Sequence, residues 1–442
     1  MNYILFDVPS RNNLLPFTYT RPMADLRIGI LTIREKWELH LGYTTTTLTE
    51  DYLSEKYPMV ELEENIMINA SYLPNYEIVE MIKGLEKNQA IFKEDNIIAF
   101  FTNEAQDDID FSTYEALEYN DDIIKIENTW DIFSKNGDAI QEDFNFLTKD
   151  KKSKPIPSSN NVIASENIFL EEGAKLEFTT LNASSGPIYI GKDAEIMEGS
   201  IVRGPLALCD HATVKLSAKI YGPTTIGPFS KVGGEVNNSV LFAYSNKGHD
   251  GFLGNSVIGE WCNLGADTNN SNLKNNYAEV RLWDYQTESF AKTGLQFCGL
   301  MMGDHSKSAN NTMFNTGTVI GVSSNIYGSN FPRNFIPSFS WGGAAGFSTY
   351  QINKAKETAK LVLNRKNELF DEKEQRILEH VFELTKINHD YDADTLFPEI
   401  NFDEWELLGQ KDKERIYQFV HQNSKQARSK ASRDGKKRGN RF

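Results

Sequence analysis

Aliphatic residues fall at every sixth position between Ile190 and Val232: Ile190, Ile196, Val202, Leu208, Val214, Ile220, Ile226 and Val232. Four residues after most of them sits a small residue (Ala194, Ser200, Ala212, Ala218, Thr224, Ser230), with Leu206 as the exception. A period of six matches neither the 3.6 of a helix nor the 2 of a flat strand. It predicts a left-handed parallel β-helix of hexapeptide repeats, in which the chain winds around a triangular prism and each side takes one hexad. The aliphatic residue points inward, and the small one lets the corner turn tightly. The register recurs at Leu170 and Leu176 with Ala174, at Ile258 and Leu264, and at Met302, Phe314, Ile320 and Ile326 with Ser308 interposed. The gaps between these blocks do not divide by six, so loops are expected to bulge from the prism there. Loops on a rigid scaffold are where sites are built.

The pattern differs on either side of this block. Tyr3–Asp7, Thr44–Leu48, Asn65–Asn69 and Ile97–Phe101 read as strands, and the stretch from Ile30 to Gly42 reads as a helix. Strands alternating with helical stretches predict an α/β layer over residues 1–150, of the Rossmann-like kind that binds phosphates in the loop after its first strand. The acid-rich stretch Asp107–Asp122 reads as a solvated face. Residues 148–161 are polar and carry Pro and Ser, as a linker does. The coil then spans 162–340. From 349 to 424 the spacing turns helical, with Ile352, Ala355, Ala359, Val362, Ile377, Val381 and Leu384 three to four apart, and these C-terminal helices are expected to cap the coil. The tail 425–442 holds eight Lys/Arg and one acid and is expected to be disordered.

Composition narrows the classes. A formal charge of −16 over 442 residues disfavours bulk binding to nucleic acid or anionic membrane, which leaves only the basic tail as a polyanion contact. No apolar run approaches the length of a membrane span, and the N-terminus lacks a secretion pattern. Three irregularly spaced cysteines (Cys209, Cys262, Cys298) read as reduced thiols of a cytoplasmic chain, with no metal site or disulfide frame.

The sharpest chemical signal lies downstream of Val232. Gly248-His249-Asp250-Gly251 offers a histidine between glycines, and six asparagines follow, Asn263, Asn269, Asn270, Asn272, Asn275 and Asn276. Histidine is the usual general base near neutral pH, and neutral amides hold sugar hydroxyls without adding charge. The residues alone leave open a second reading, a turn histidine beside a structural asparagine ladder. His305, with Lys307 and Asn311, presents the same choice between a site residue and a solvent-facing corner.

Two resemblances bear on these readings. The first strand and the loop ending LLPFTYTRP resemble the N-terminus of sugar-1-phosphate nucleotidyltransferases. The resemblance implies nucleotide-binding roles for Arg11 and Arg21, a nucleoside triphosphate as partner, and Mg2+ if transfer is active. The sequence departs from that family in three places. The loop Val8–Asn13 has no glycine, Met23 stands for the expected lysine, and Asn69 stands for the expected metal aspartate. The domain is also short, so it reads as a reduced nucleotidyltransferase-like domain.

In the coil, GHDGFLGNSVIGEWCNLGADTNNSN resembles the acetyltransferase core of the bifunctional N-acetylglucosamine-1-phosphate uridylyltransferase/glucosamine-1-phosphate acetyltransferase family. The resemblance implies that His249 is the catalytic base, and that Phe252, Asn263 and Asn272 contact the amino sugar and its phosphate. It also implies that Ala266 meets acetyl-CoA. Asn276–Leu300 interrupts the hexads and reads as an excursion loop or hairpin, whose Lys292 and Arg281 offer cations for phosphate or acyl-CoA. Phe252 lacks the hydroxyl of the family's tyrosine, and Leu273-Lys274-Asn275 replaces a Tyr-Asp-Gly. The family assembles as homotrimers with sites between coils.

The expected function is acyl transfer from acyl-CoA to an amino-sugar phosphate, with sugar-1-phosphate nucleotidyl transfer in the front domain as a second activity. The alternative is an idle nucleotide-sugar-binding scaffold that trimerises through the coil.

Overall fold

The computed structural model describes residues 2–103 and 109–389. The end of the expected helical region and the whole basic tail lie outside the described residues.

The N-terminal layer is a six-stranded mixed sheet. Its strands are β1 (Asn2–Phe6), β2 (Thr45–Leu48), β3 (Asn65–Asn69), β4 (Gln89–Lys93), β5 (Asn96–Thr102) and β6 (Glu115–Glu118), in the order β2-β1-β3-β5-β4-β6. β1 is parallel to β2 and β3, and β5 is antiparallel to β3 and β4. Strand alternation divides the side chains. Tyr3, Leu5, Ile66 and Ile68 pack with helices α1 (Ile33–Leu41) and α2 (Tyr76–Lys83), while Ile4, Met67, Ala90 and Phe100 form a smaller cluster on the other face. Helix α1 begins at a capping box, in which the Thr32 side chain accepts from the Glu35 N–H and the Glu35 carboxylate from the Thr32 N–H, and it ends at left-handed Gly42. The acidic stretch read as a solvated face contains β6. It is an edge strand with exposed glutamates, and charge is tolerated there because one side of the strand faces water.

The hexads wind as expected into a left-handed parallel β-helix with three faces, of nine, ten and six strands, parallel throughout except for the last strand of the ten, Gly346–Thr349. Every aliphatic residue of the Ile190–Val232 series is buried. The gap between Val232 and Ile258, however, holds no bulging loop. Ile226 pairs with Leu241 and Val232 with Lys247, fifteen residues on rather than eighteen. The coil is shortened at glycine corners, including Gly233-Gly234, where Gly234 has a φ of +68° and a Cβ would meet the Gly251 carbonyl at 2.7 Å. The excursion that does leave the prism, between Asn270 and Leu300, carries an antiparallel hairpin (Arg281–Asp284 with Ser289–Lys292). It folds back over the front domain. Trp283 stacks on Phe335 at 4.2 Å, Tyr285 meets Tyr19 edge-on at 5.6 Å, and Gln286 donates to Asn13.

The nine-stranded face is buried on both sides, which single-sided hexad burial does not require. Tyr189, Ala207, Val257, Met301 and Val319 point outward from it and are covered. The cover is the front domain, fastened by Thr225 Oγ1 donating to the Gly29 carbonyl at 2.8 Å and by Asn136 Nδ2 donating to the Pro223 carbonyl at 3.1 Å. Asn136 opens helix α3 (Asn136–Thr148).

The C-terminal helices do not cap the prism end. The coil is closed by a hairpin of Ser340–Gly343 with Gly346–Thr349, and Phe347 packs on the coil interior. Helices α4 (Ile352–Asn364) and α5 (Glu372–His389) lie instead along one corner, over Trp261, Val322 and Phe339, and reach Leu53 of the front domain. That corner carries a ladder of stacked rings, His211–Phe229–Tyr244–Trp261, with centroids 4.7, 4.9 and 4.1 Å apart. His305 continues the same corner. It is partly buried, with Nδ1 out of contact with solvent, against a cavity of about 40 Å³ shared by the coil, the front domain and α5, and it lies on a different corner from His249. Burial holds its pKa down to about 3 from the usual 6.5.

A base kept neutral in the folded state supports stability above pH 6.5, and this contribution is lost as the pH falls through that value toward 3, because the unfolded chain binds the proton first. A His305→Leu variant is therefore expected to lose less unfolding free energy than the wild type between about pH 7.5 and about pH 5 in urea titrations. Equal losses would refute the assignment.

Candidate active site

The corner between the ten-stranded and six-stranded faces carries the candidate chemistry. His249 sits there, exposed, in the turn Gly248–Gly251. Gly251 has a φ of +112°, and a Cβ at that position would lie 2.3 Å from the Thr268 carbonyl, so the turn requires glycine. The next coil stacks directly on this turn, with the Asp267 N–H donating to the Asp250 carbonyl at 3.0 Å. Ala266 therefore lies one coil from His249. Its own backbone is already engaged, since its N–H donates to Asn310 Oδ1 at 2.9 Å and its carbonyl accepts from the Asn311 N–H at 2.8 Å. An acyl-CoA contact through the Ala266 N–H would have to displace Asn310, whereas the carbonyl keeps a second lone pair.

Phe252 and Asn272 meet on the six-stranded face. A Cβ placed on Gly254 would lie 2.5 Å from Phe252 Cζ and 2.8 Å from Asn272 Nδ2, so the ring and the amide both sit over this glycine. Asn272 Nδ2 also donates to Asn255 Oδ1 at 2.8 Å. Beyond Asn272 a cavity of about 330 Å³ is lined by Ser271, Lys274, Asn275, Asn315, Thr316 and Asn334, with Leu273. Hydroxyls, amides and one ammonium suit a sugar carrying an anionic group. Asn263 points outward from the ten-stranded face, exposed, beside Asn246 and Lys307. Lys292 stands on the outer strand of the excursion hairpin, 70% exposed and paired loosely with Glu279 at 3.9 Å. The winding thus brings His249 and Ala266 onto one corner and Phe252 and Asn272 onto one face, while Asn263 and Lys292 stand on neighbouring surfaces.

All three cysteines are buried, and burial pushes the thiols of Cys209 and Cys262 up to about 12. None is poised as a nucleophile.

The front domain holds a second cavity, of about 990 Å³, at the ends of β1 and β2. Arg11 lines it, but the guanidinium is engaged by Asp7 at 3.1 Å, Glu50 at 3.2 Å and the Thr18 carbonyl at 2.7 Å. The glycine-free loop is a 3-10 turn (Pro9–Leu14) that folds its backbone onto itself, the Arg11 N–H donating to the Val8 carbonyl. Asp51 and Asp110 add further carboxylates to the cavity wall, and His380 enters from α5, stacked on Tyr52 at 4.1 Å. Arg21 is not in this cavity. It is buried at the junction with the coil, paired with Asp304 and with Glu260 at 2.8 Å, so no phosphate reaches it without breaking those pairs.

Mg2+ does not fit the residues present. Asn69 Nδ2 donates to the Ile97 carbonyl, and its Oδ1 accepts from the Ser71 N–H and hydroxyl. Asp7 is occupied by Arg11, Thr49 and the Met23 N–H. Among the described residues no cluster of three carboxylates, histidines or cysteines could hold an ion.

Fold and site together define a sugar-nucleotidyltransferase-like domain docked along a hexapeptide acyltransferase-like coil. Comparison with known proteins agrees: residues 3–152 match the family model described as sugar nucleotidyl transferase. The bifunctional protein GlmU of Methanococcus maripaludis is 27% identical over 290 residues, 65% of this chain and 61% of that protein. The bifunctional sugar-1-phosphate nucleotidylyltransferase/acetyltransferase of Sulfurisphaera tokodaii is 27% identical over 171 residues, 38% of this chain and 40% of that protein. These matches therefore span less than two thirds of either relative. Among solved structures, LpxA, a UDP-N-acetylglucosamine acyltransferase from Bacteroides fragilis, is 14% identical, covers 60% of this chain and 97% of its own, and superposes with a TM-score of 0.27. A superposition this low adds nothing to the reading.

Proposed function

We propose that this protein is a transferase of sugar-nucleotide metabolism whose coil moves an acyl group from acyl-CoA to an amino-sugar phosphate, with His249 as general base. The observation that carries the reading is the exposed His249 beside a face where Phe252 and Asn272 share one glycine floor. In the reaction His249 takes a proton as the sugar amine attacks the thioester carbonyl. The C–N bond forms, the C–S bond breaks, and the CoA thiolate leaves to be protonated. Neutral amides and hydroxyls around Asn272 orient the sugar, and Lys274 offers a charge for its phosphate.

Nucleotidyl transfer in the front domain is a weaker reading. Arg11 is neutralised by two carboxylates, Asn69 is occupied within the fold, and the cavity wall is acidic, so a nucleoside triphosphate meets repulsion rather than a cradle. The same observations favour a front domain that docks on the coil without turning over a nucleotide. A homotrimer with sites between coils is supported by exposed Phe178, Ile201 and Leu216 on and beside the six-stranded face, the face that also carries Phe252. Leu216→Glu is expected to shift the protein from trimer to monomer in light scattering, and a wild type that is already monomeric would sink the interfacial site.

The deciding experiment is a two-armed assay on the full chain with a panel of sugar and amino-sugar 1-phosphates. One arm supplies acetyl-CoA and reads thiol release. The other supplies nucleoside triphosphates with magnesium and reads pyrophosphate. Thiol without pyrophosphate is the expected result, and silence in both arms would favour the scaffold.

A further inference from the structure

The interior of the coil is lined by apolar and uncharged polar residues, and Lys247 breaks that rule. In the inward column of the ten-stranded face it follows Val214 and Val232 and precedes Leu264, in register with Val232. The residue is 1% exposed. Its ammonium turns back along the inside of the corner and donates to the His249 carbonyl at 2.5 Å and to the Asp250 carbonyl at 3.0 Å. A buried charge in an aliphatic prism is costly, and two carbonyl partners offset the cost only in part. A residue that breaks the local rule at such cost calls for a gain elsewhere. The peptides it grips are those of the histidine turn. That turn has glycine at both ends, Gly248 beside open space and Gly251 at a φ of +112°. Neighbouring coils hold its far end, the Asp267 N–H donating to the Asp250 carbonyl at 3.0 Å and the Glu235 N–H to the Gly251 carbonyl at 3.1 Å, while the His249 carbonyl is held by Lys247.

We infer that Lys247 is a positioning residue, which holds the His249 and Asp250 carbonyls from inside the coil and thereby fixes the presentation of His249 to its substrate. The inference rests on the reading of His249 as the base. Burial also lowers the Lys247 pKa to about 8, against the pull of Asp250 and Asp267, which agrees with an ammonium held at a cost.

The test is Lys247→Met, which keeps the length of the side chain and removes its donors. Two readouts are taken on the full-length protein: hydrogen exchange of the Asp267 and Glu235 amides, which donate to the Asp250 and Gly251 carbonyls of the turn, and the kinetics of acetyl-CoA-dependent thiol release. Exchange is expected to rise at least about tenfold, the thermal midpoint to stay level or climb because a buried charge has gone, and kcat to fall about tenfold or more with KM for acetyl-CoA little changed. A purely structural lysine would instead lower the thermal midpoint and leave the exchange and kcat of the folded protein as they were, and that pattern overturns the inference. Unchanged exchange overturns it as well. If the methionine variant does not fold, Lys247→Leu is measured in its place, and failure of both makes Lys247 a fold determinant and overturns the positioning role. Faster exchange in a protein that transfers no acyl group, even as wild type, leaves the pinned turn standing and removes the acyl-transfer reading.

Discussion

His249→Ala is expected to reduce acyl transfer by a factor of about 10² to 10⁴, the range that a positioned general base contributes. The substitution is a clean one. His249 is exposed, none of its side-chain atoms supports the fold, and the carbonyl that Lys247 grips belongs to the backbone and survives the change. Unfolding free energy should stay within about 0.5 kcal/mol of wild type, as for other exposed positions. The loss should fall on kcat, since the ring acts on the proton in flight rather than on bound acyl-CoA. Thiol release at the wild-type rate would remove His249 from the reaction, and attention would then move to the polar cavity beside Asn272.

Arg21→Met should act in the opposite way, on the fold and not on the proton. Arg21 and Asp304 are buried at 5% and 3% exposure, and burial is offset by two carboxylates that hold the guanidinium well above its ordinary pKa. Asp304 also accepts from Thr20 Oγ1 at 2.6 Å and from the Glu260 N–H at 2.8 Å, so one carboxylate gathers the front domain and two coils. Removing the arginine leaves a buried carboxylate without its cation, which costs about 3–5 kcal/mol. An exposed pair would cost less than about 1 kcal/mol, so urea unfolding separates the two cases. The double variant with Asp304→Asn should recover part of the loss, because the uncompensated charge is gone. A loss below about 1 kcal/mol in the single variant would mean that the junction is wetter than its burial indicates.

Arg21 also shows where sequence reading runs short. In the linear chain it stands in a stretch that resembles a phosphate-binding N-terminus, and nothing near it in sequence reveals Glu260 and Asp304, more than two hundred residues away. The shortened coils after Val232 are a similar case. A break in a hexad count looks the same whether residues are added or removed. The pairing of Val232 with Lys247 decides for removal, and it also turns a lysine into the core. A signal for the docked face was present but unread: Ile188-Tyr189-Ile190, Leu206-Ala207-Leu208 and Thr224-Thr225-Ile226 recur on one side of the prism with no charge among them. The excursion read as a source of acyl-CoA contacts is, apart from exposed Arg281 and Lys292, a strap whose Trp283 and Tyr285 face the coil and the front domain.

The sequence by itself determined the coil, because a six-residue period of inward aliphatic side chains repeats locally and needs no partner to be recognised. It also marked four strands of the front sheet and helix α1, and it named His249, Phe252, Asn263 and Asn272 as candidates. Only the tertiary structure decided which of those residues stand together, since neighbours across stacked coils are set by coil length and not by chain distance. It alone placed the front domain along the nine-stranded face, withdrew Arg21 and Asn69 into internal pairs, and showed Lys247 beneath the histidine. Each of these rests on contacts between residues far apart in the chain, where burial and charge pairing outweigh local preference.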